Sequence, residues 1–212
     1  MQRRSSDLLR ALEALERHGI LLMSDARLPS VVSLVVGEPV RGSWWGHARG
    51  EEIYQVVTAL EDHPDALATK VVSGKVTYVH RGLWPAVLAV ARAGEPWQME
   101  GLPLRAQLLL DAVTRNGEMR TDDIPHTGGP KSGSPGEAAR ELERRLLVHS
   151  QEVHTSTGAH AKHLETWDRW AGRVGFSEQG MTAARGKEGL EEAIGRLNAR
   201  FEGKGRLPWS VT

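Results

Sequence analysis

The chain has 212 residues, a formal net charge of +0, 40% hydrophobic residues and no cysteine. The lack of cysteine excludes disulfides, cysteine-ligated zinc fingers and thiol catalysis; neutrality withdraws the simplest argument for nucleic-acid binding but leaves room for a local basic patch. No apolar run approaches the ~20 residues of a membrane span, and Met1-Gln2-Arg3-Arg4 leads into an amphipathic helix and not an apolar signal core, so a cytoplasmic protein with no membrane partner is expected.

Leu8, Leu12 and Leu15 predict a first helix over residues 5–18, stopped by Gly19. Ile20 to Met23 reads as extended, and the β-branched run Val31 to Val36 as a buried strand or a tight core segment. A loop carrying Trp44 and Trp45 follows, then a helix over Gly50 to Leu60 whose stripe is Ile53, Val56, Val57 and Leu60. Lys70-Val71-Val72 and Lys75 to His80, joined by Ser73-Gly74, predict a β-hairpin. Leu83 to Arg92 is another helix, and a boundary is placed near Glu95 to Pro103.

Beyond it, Leu104, Leu108, Ala112 and Val113 fall at helical spacing, with Asn116-Gly117 as the stop. Glu118-Met119-Arg120 is extended, Thr121 caps a brief turn that Pro125 ends, and Thr127 to Pro135 has the composition of a loop. Ser134-Pro135-Gly136-Glu137 is a capping box with proline at the first helical position. Ala138, Leu142 and Leu146 form the inward stripe of that helix. A ribbon follows through His149 and His154, turns at Ser156-Thr157-Gly158 and returns to Leu164; Trp167, Trp170 and Val174 mark the next helix. A last helix carries Leu190, Ile194, Leu197 and Phe201 and is free to pack on either half or to make a dimer contact. The expectation is a mainly α protein with short β-hairpins and winged-helix architecture. Residues 1–98 form a helical and hairpin half, 99–176 a winged-helix module, and 177–212 a C-terminal helix and tail.

Two acid-free stretches stand out. One holds Arg41, Trp44, Trp45, His47 and Arg49; the other holds Lys70, Lys75, His80, Arg81 and Arg92. Clustered cations beside an aromatic suit phosphate contact with stacking or wedging, although core filling by the tryptophans explains the same residues. On the capped helix Arg140 and Arg144 sit one turn apart, as DNA-reading side chains do, yet Glu137, Glu141 and Glu143 among them fit intrahelical ion pairs as well. The ribbon histidines His149, His154, His160 and His163 match no zinc-ligand spacing, so no metal is expected; His154 is a candidate phosphate contact. Hydrolase motifs are missing, and Glu38, followed by Arg41, Trp44 and His47, is the best single carboxylate for a catalytic role.

Glu141-Leu142-Glu143-Arg144-Arg145-Leu146-Leu147-Val148, running from helix into ribbon, resembles the winged-helix segments of the AlkZ-type DNA glycosylases, which unhook alkylated and crosslinked bases. Gly74-Lys75-Val76-Thr77-Tyr78-Val79-His80-Arg81, leading to Leu83-Trp84-Pro85, is similar in style. The resemblance implies a helical, winged-helix DNA-repair fold. The family's Gln-aliphatic-Gln catalytic motif has no counterpart, since Gln55, Gln98, Gln107, Gln151 and Gln179 are isolated, and the chain is shorter than a full glycosylase. Catalytic residues are therefore not carried over. The favoured expectation is a DNA-binding protein of repair; a base-excision glycosylase and a protein-interaction module are the alternatives. No cofactor is implied.

Overall fold

The computed structural model describes residues 2–124, 134–154, 160–177 and 180–210, with backbone alone for 2–5 and 154. It divides into two compact units: residues 1–87 with 184–212, and residues 88–183. The division falls between Val87 and Leu88, ahead of the boundary expected near Glu95 to Pro103, and the C-terminal helix, expected to stand apart with its tail, groups with the first unit. The protein is mainly helical, with two small antiparallel sheets of three strands among the described residues. No helix among the described residues is long and apolar enough to cross a membrane.

The first unit begins with α1 (Gln2–His18), which ends where Gly19 enters the left-handed region at φ 74° and donates to the Leu15 carbonyl at 2.8 Å. β1 (Ile20–Leu22) follows, then α2 (Val31–Val36), a single 3-10 turn at Trp44–Gly46, and α3 (Gly50–Glu61). β2 (Ala66–Val72) and β3 (Lys75–His80) close the hairpin. Its two-residue turn puts Ser73 and Gly74 both at positive φ, as the strand twist requires. The sheet order is β1-β3-β2, pairing Ile20 and Leu67 with Val79 from either side. α1, α2 and α3 bury Ala11, Leu15, Val31, Val32, Val35, Ile53, Val56 and Leu60 in one core.

Val31–Val36, read as a buried strand or a tight core segment, is a buried helix. Ser30 and Ser33 form a reciprocal capping box, and Gly37 ends the helix at φ 100°. β-branched residues each disfavour a helix by only about 0.5 kcal/mol. Burial of Val31, Val32 and Val35, at ~1.5–3 kcal/mol for a fully buried side chain, outweighs that preference.

α4 (Trp84–Ala91) runs across the division. The second unit then contains α5 (Pro96–Met99), α6 (Leu104–Asn116), β4 (Glu118–Arg120), α7 (Pro135–Arg144), β5 (His149–His154), β6 (His160–Glu165) and α8 (Trp167–Arg173). Its sheet order is β4-β6-β5, with Met119 and Ser150 both opposite Leu164. Ala106, Leu109 and Val113 of α6 pack on Ala138, Ala139 and Leu142 of α7 in a second core. The α6 helix forms as expected, but its inward stripe is displaced: Leu104 is 70% and Leu108 59% exposed. Thr121 also departs from the cap read in the sequence. Its backbone N–H and hydroxyl engage the Lys162 carbonyl and N–H, each at 2.9 Å, extending the β4-β6 ladder. Pro125, the loop to residue 133 and the Ser156-Thr157-Gly158 turn lie outside the described residues.

The last long helix is α9 (Ala183–Phe201), counted from Ala184 onward with the first unit. Asn198 holds the chain after it, donating to the Gly205 carbonyl at 2.9 Å and accepting from the Gly205 N–H at 2.8 Å. This brings Gly203 against Leu28, whose Cγ lies 2.8 Å from where a Cβ would stand. Among the described residues both units repeat one order: helix, strand, one or two α-helices, then a hairpin whose second strand lies centrally.

Candidate nucleic-acid interface

α7 starts where the sequence places it. The Ser134 hydroxyl accepts from the Glu137 N–H at 3.2 Å, the Glu137 carboxylate accepts from the Ser134 N–H at 2.7 Å, and Pro135 occupies the first turn. Ala138, Ala139 and Leu142 turn inward. The helix ends at Arg144, with Leu146 in the left-handed region and its carbonyl taking the Trp167 indole N–H at 2.8 Å.

The carboxylates decide what the outer face of α7 presents. Glu137 is occupied by the cap. Glu141 accepts from Arg145 at 2.7 Å, and the Arg145 guanidinium also donates to the Gln98 and Glu100 carbonyls. Glu143 is 5% exposed and bonds to Lys162 of β6 and to the Ser150 hydroxyl of β5. None of the three neutralises Arg140 or Arg144. Both arginines are exposed and make no hydrogen bond or ion pair with any described residue. By contrast Arg92, Arg120, Lys162, Arg169 and Arg173 of the same unit all hold carboxylates. Arg115, in the last turn of α6, resembles the α7 pair in lacking a partner among the described residues.

The ribbon histidines are dispersed among carboxylates. His149 is buried, and its Nδ1 donates to Glu165 at 3.0 Å, with the rings of Trp167 and Trp170 5.7 Å away. Burial holds this imidazole below its ordinary pKa, against the opposing bond to Glu165. Burial likewise pushes the Glu165 carboxyl up, but the hydrogen bonds from His149 and Arg173 outweigh it and bring it down to about 2. His163 bonds to Glu118 at 2.9 Å, and His160 lies 4.0 Å from Glu152. The described residues hold no group of three potential metal ligands. The side chain of His154 lies outside the described atoms.

In the first unit most of the expected cations have internal partners. Arg49 pairs with buried Asp7 at 2.7 Å and donates to the Val35 carbonyl, fastening the start of α3 to α1 and α2. Lys75 pairs with Asp25 at 2.7 Å; burial raises the Asp25 carboxyl, but the Lys75 bond and two backbone N–H groups bring it below its ordinary value. Arg81 lies over the Trp84 ring at 5.3 Å and near Asp65. Lys70 sits half-buried on β2 with a partner of its own. Lys75 shares a cleft of about 400 Å³ with Val40 and Gly42, so the hairpin and the start of the tryptophan loop do meet.

Trp44 packs into the core at 6% exposure, which corrects its expected place on the nucleic-acid surface. Trp45 stacks on it at 4.2 Å and remains 63% exposed. Arg41 is exposed, and half-buried His47 accepts from the Arg49 N–H at 3.0 Å. Glu38 is exposed just after the α2 cap and bonds to no described residue, so nothing positions it as a general base.

Two contributors were missed in the sequence. Tyr54, on the outer face of α3, lies 5.8 Å from the Trp45 ring; an aromatic off the Ile53-Val56-Val57-Leu60 stripe was the available signal. Lys162, which takes Glu143 away from the arginines, gave none, since the pair is 19 residues apart. Comparison of the chain with known protein families, with curated proteins and with solved structures finds no match.

Proposed function

We propose that residues 88–183 form a winged-helix module that binds duplex DNA through α7. The observation that carries the reading is the fate of the three α7 carboxylates: capping, the Arg145 pair and the Lys162 pair occupy them and leave Arg140 and Arg144 exposed together. Helix, strand, helix and hairpin in this order are the parts of a winged helix, whose helix before the hairpin enters the major groove. Arg140 and Arg144 then contact phosphates or guanine edges, and the β5-β6 ribbon lies alongside with His154 near its tip. Among first-unit residues, Trp45 with Tyr54 offers the surface suited to stacking on an exposed base, which supports a role in DNA repair.

Fluorescence anisotropy of a labelled duplex at two salt concentrations tests the reading. Binding should weaken steeply with salt, and the logarithmic salt slope should fall by about one for each arginine removed from a phosphate contact. Equal binding by wild type and Arg140→Ala/Arg144→Ala, or no binding at low salt, rules it out. Trp45→Ala should weaken binding to a duplex with a mismatched base more than to a fully paired one.

A further inference from the structure

The first unit contains a cleft of about 430 Å³ between α1, the residues leading through α2 to Pro39, and the end of α9. That size lies within the roughly 300–1,000 Å³ of small-molecule sites. Its charge is one-sided. Arg10, Arg17, Arg27 and His18 line it, against the one carboxylate of Glu13. The remaining wall is largely apolar, with Leu28, Leu34, Pro39 and Phe201.

Two of the three guanidinium groups are already held in place. Arg10 donates to the Leu34 carbonyl at 2.7 Å and pairs with Asp7 at 3.1 Å, while Arg49 also draws on Asp7. Arg27 donates to the Glu202 carbonyl at 2.8 Å. Each retains N–H donors, because a guanidinium has five, and their rotamers are fixed before any ligand arrives. Arg17 is exposed and makes no hydrogen bond or ion pair with any described residue. His18 stands edge-on to Phe201 at 5.4 Å, and Arg200 lies over the same ring. Burial first, and then the charges of Arg200 and Arg17, hold the His18 imidazole below its ordinary pKa.

We propose that this cleft binds a small organic anion: a carboxylate or phosphate monoester whose acid group meets Arg17 with Arg10 or Arg27, and whose aromatic or branched body lies on Phe201, Leu28 and Pro39. The apolar wall argues for a ligand with a body and against a bare phosphate. The site uses none of the α7 residues and stands independently of the DNA-binding reading.

Phenyl phosphate is the probe, titrated against the full chain and followed through the His18 imidazole resonances and by calorimetry. Saturable binding is expected, with the His18 pKa rising in the complex. Arg17→Glu should weaken it roughly tenfold or more, the loss of a charge-assisted hydrogen bond, while Arg17→Lys keeps most of it. Arg115→Glu, an equal charge change in the second unit, should leave it unchanged. No saturable binding, an unchanged affinity in Arg17→Glu, an equal loss in Arg115→Glu, or tighter binding of inorganic phosphate than of phenyl phosphate overturns the proposal. Loss of duplex affinity in Arg17→Glu without phenyl phosphate binding would identify a nucleic-acid contact and overturn it too.

Discussion

The two units repeat an element order and a strand order, yet the helix before each hairpin presents opposite chemistry. α3 turns Glu51, Tyr54, Thr58 and Glu61 outward and carries no lysine or arginine along its length. α7 turns Arg140 and Arg144 outward and draws its acids into a cap, an ion pair and the core. Shared topology therefore leaves function open, and the placement of carboxylates separates the two helices. The means of fixing each helix differ as well. Asp7, which fastens the start of α3, pairs with Arg10 and Arg49; Glu143, which ties α7 to its ribbon, is buried and bonds to Lys162 and to the Ser150 hydroxyl.

The buried ion pair of the second unit predicts the largest effect. Lys162→Met removes the ammonium that pairs with the buried Glu143 carboxylate and should cost about 3–5 kcal/mol in the second unit. Arg49→Met leaves Asp7 paired with Arg10 and should cost about 1–2 kcal/mol in the first. Urea denaturation of the two variants checks the order; an equal or reversed cost breaks the comparison. Next is Gly203→Ala, which drives a methyl into Leu28 and should cost about 1–3 kcal/mol by overpacking. A substitution that leaves the urea midpoint in place would show that the tail is not seated there.

A smaller effect of opposite sign is expected from Tyr78→Phe. The Tyr78 hydroxyl is buried with no hydrogen-bond partner among the described residues, and burial first, then Glu61, pushes its pKa up. Its removal should leave stability unchanged or raise it by about 1 kcal/mol, read from the thermal midpoint.

Acid acts on the second unit through two groups. Folded His149 resists protonation, so as pH falls through its ordinary value of 6.5 the unfolded chain takes up a proton that the folded unit refuses, and stability declines. Glu165 adds a second decline as pH drops from about 4.5 towards 2, where the folded carboxyl also protonates. Both shifts thus lower stability in acid. His149→Gln should flatten the upper window and, because it alters a bond that holds the Glu165 carboxyl down, narrow the lower one while Arg173 keeps part of it; an unchanged slope between pH 7 and 5 in that variant would contradict the assignment.

Local signals were legible in the sequence. Ser73-Gly74 placed the hairpin turn, Ser134 with Glu137 placed the start of α7, and Gly19 and Gly117 placed two helix ends, because each acts over two to four residues. Signals that depend on partners far along the chain were not. The helix over Val31–Val36 needed its burial against α1 and α3 to override its β-branched composition. The inward face of α6 was fixed by α7, which selects Ala106, Leu109 and Val113 over the larger Leu104 and Leu108. The arginine pair itself was visible, but its availability was not, because the Glu143 partner comes from β6. The basic stretches of the first unit read as a joint patch until Asp7 and Asp25, remote in sequence, were seen to hold Arg49 and Lys75.

The central claim is that α7 offers two unneutralised arginines to DNA. It is tested most directly by duplex binding of Arg140→Glu/Arg144→Glu beside Glu51→Lys/Glu61→Lys on α3, at low and moderate salt. The account predicts steep, salt-sensitive binding by wild type that the α7 variant loses and the α3 variant retains, with unfolding free energies within about 0.5 kcal/mol of wild type, as for exposed substitutions. Retained binding in a folded α7 variant, or failure of the wild type to bind at low salt, would contradict it.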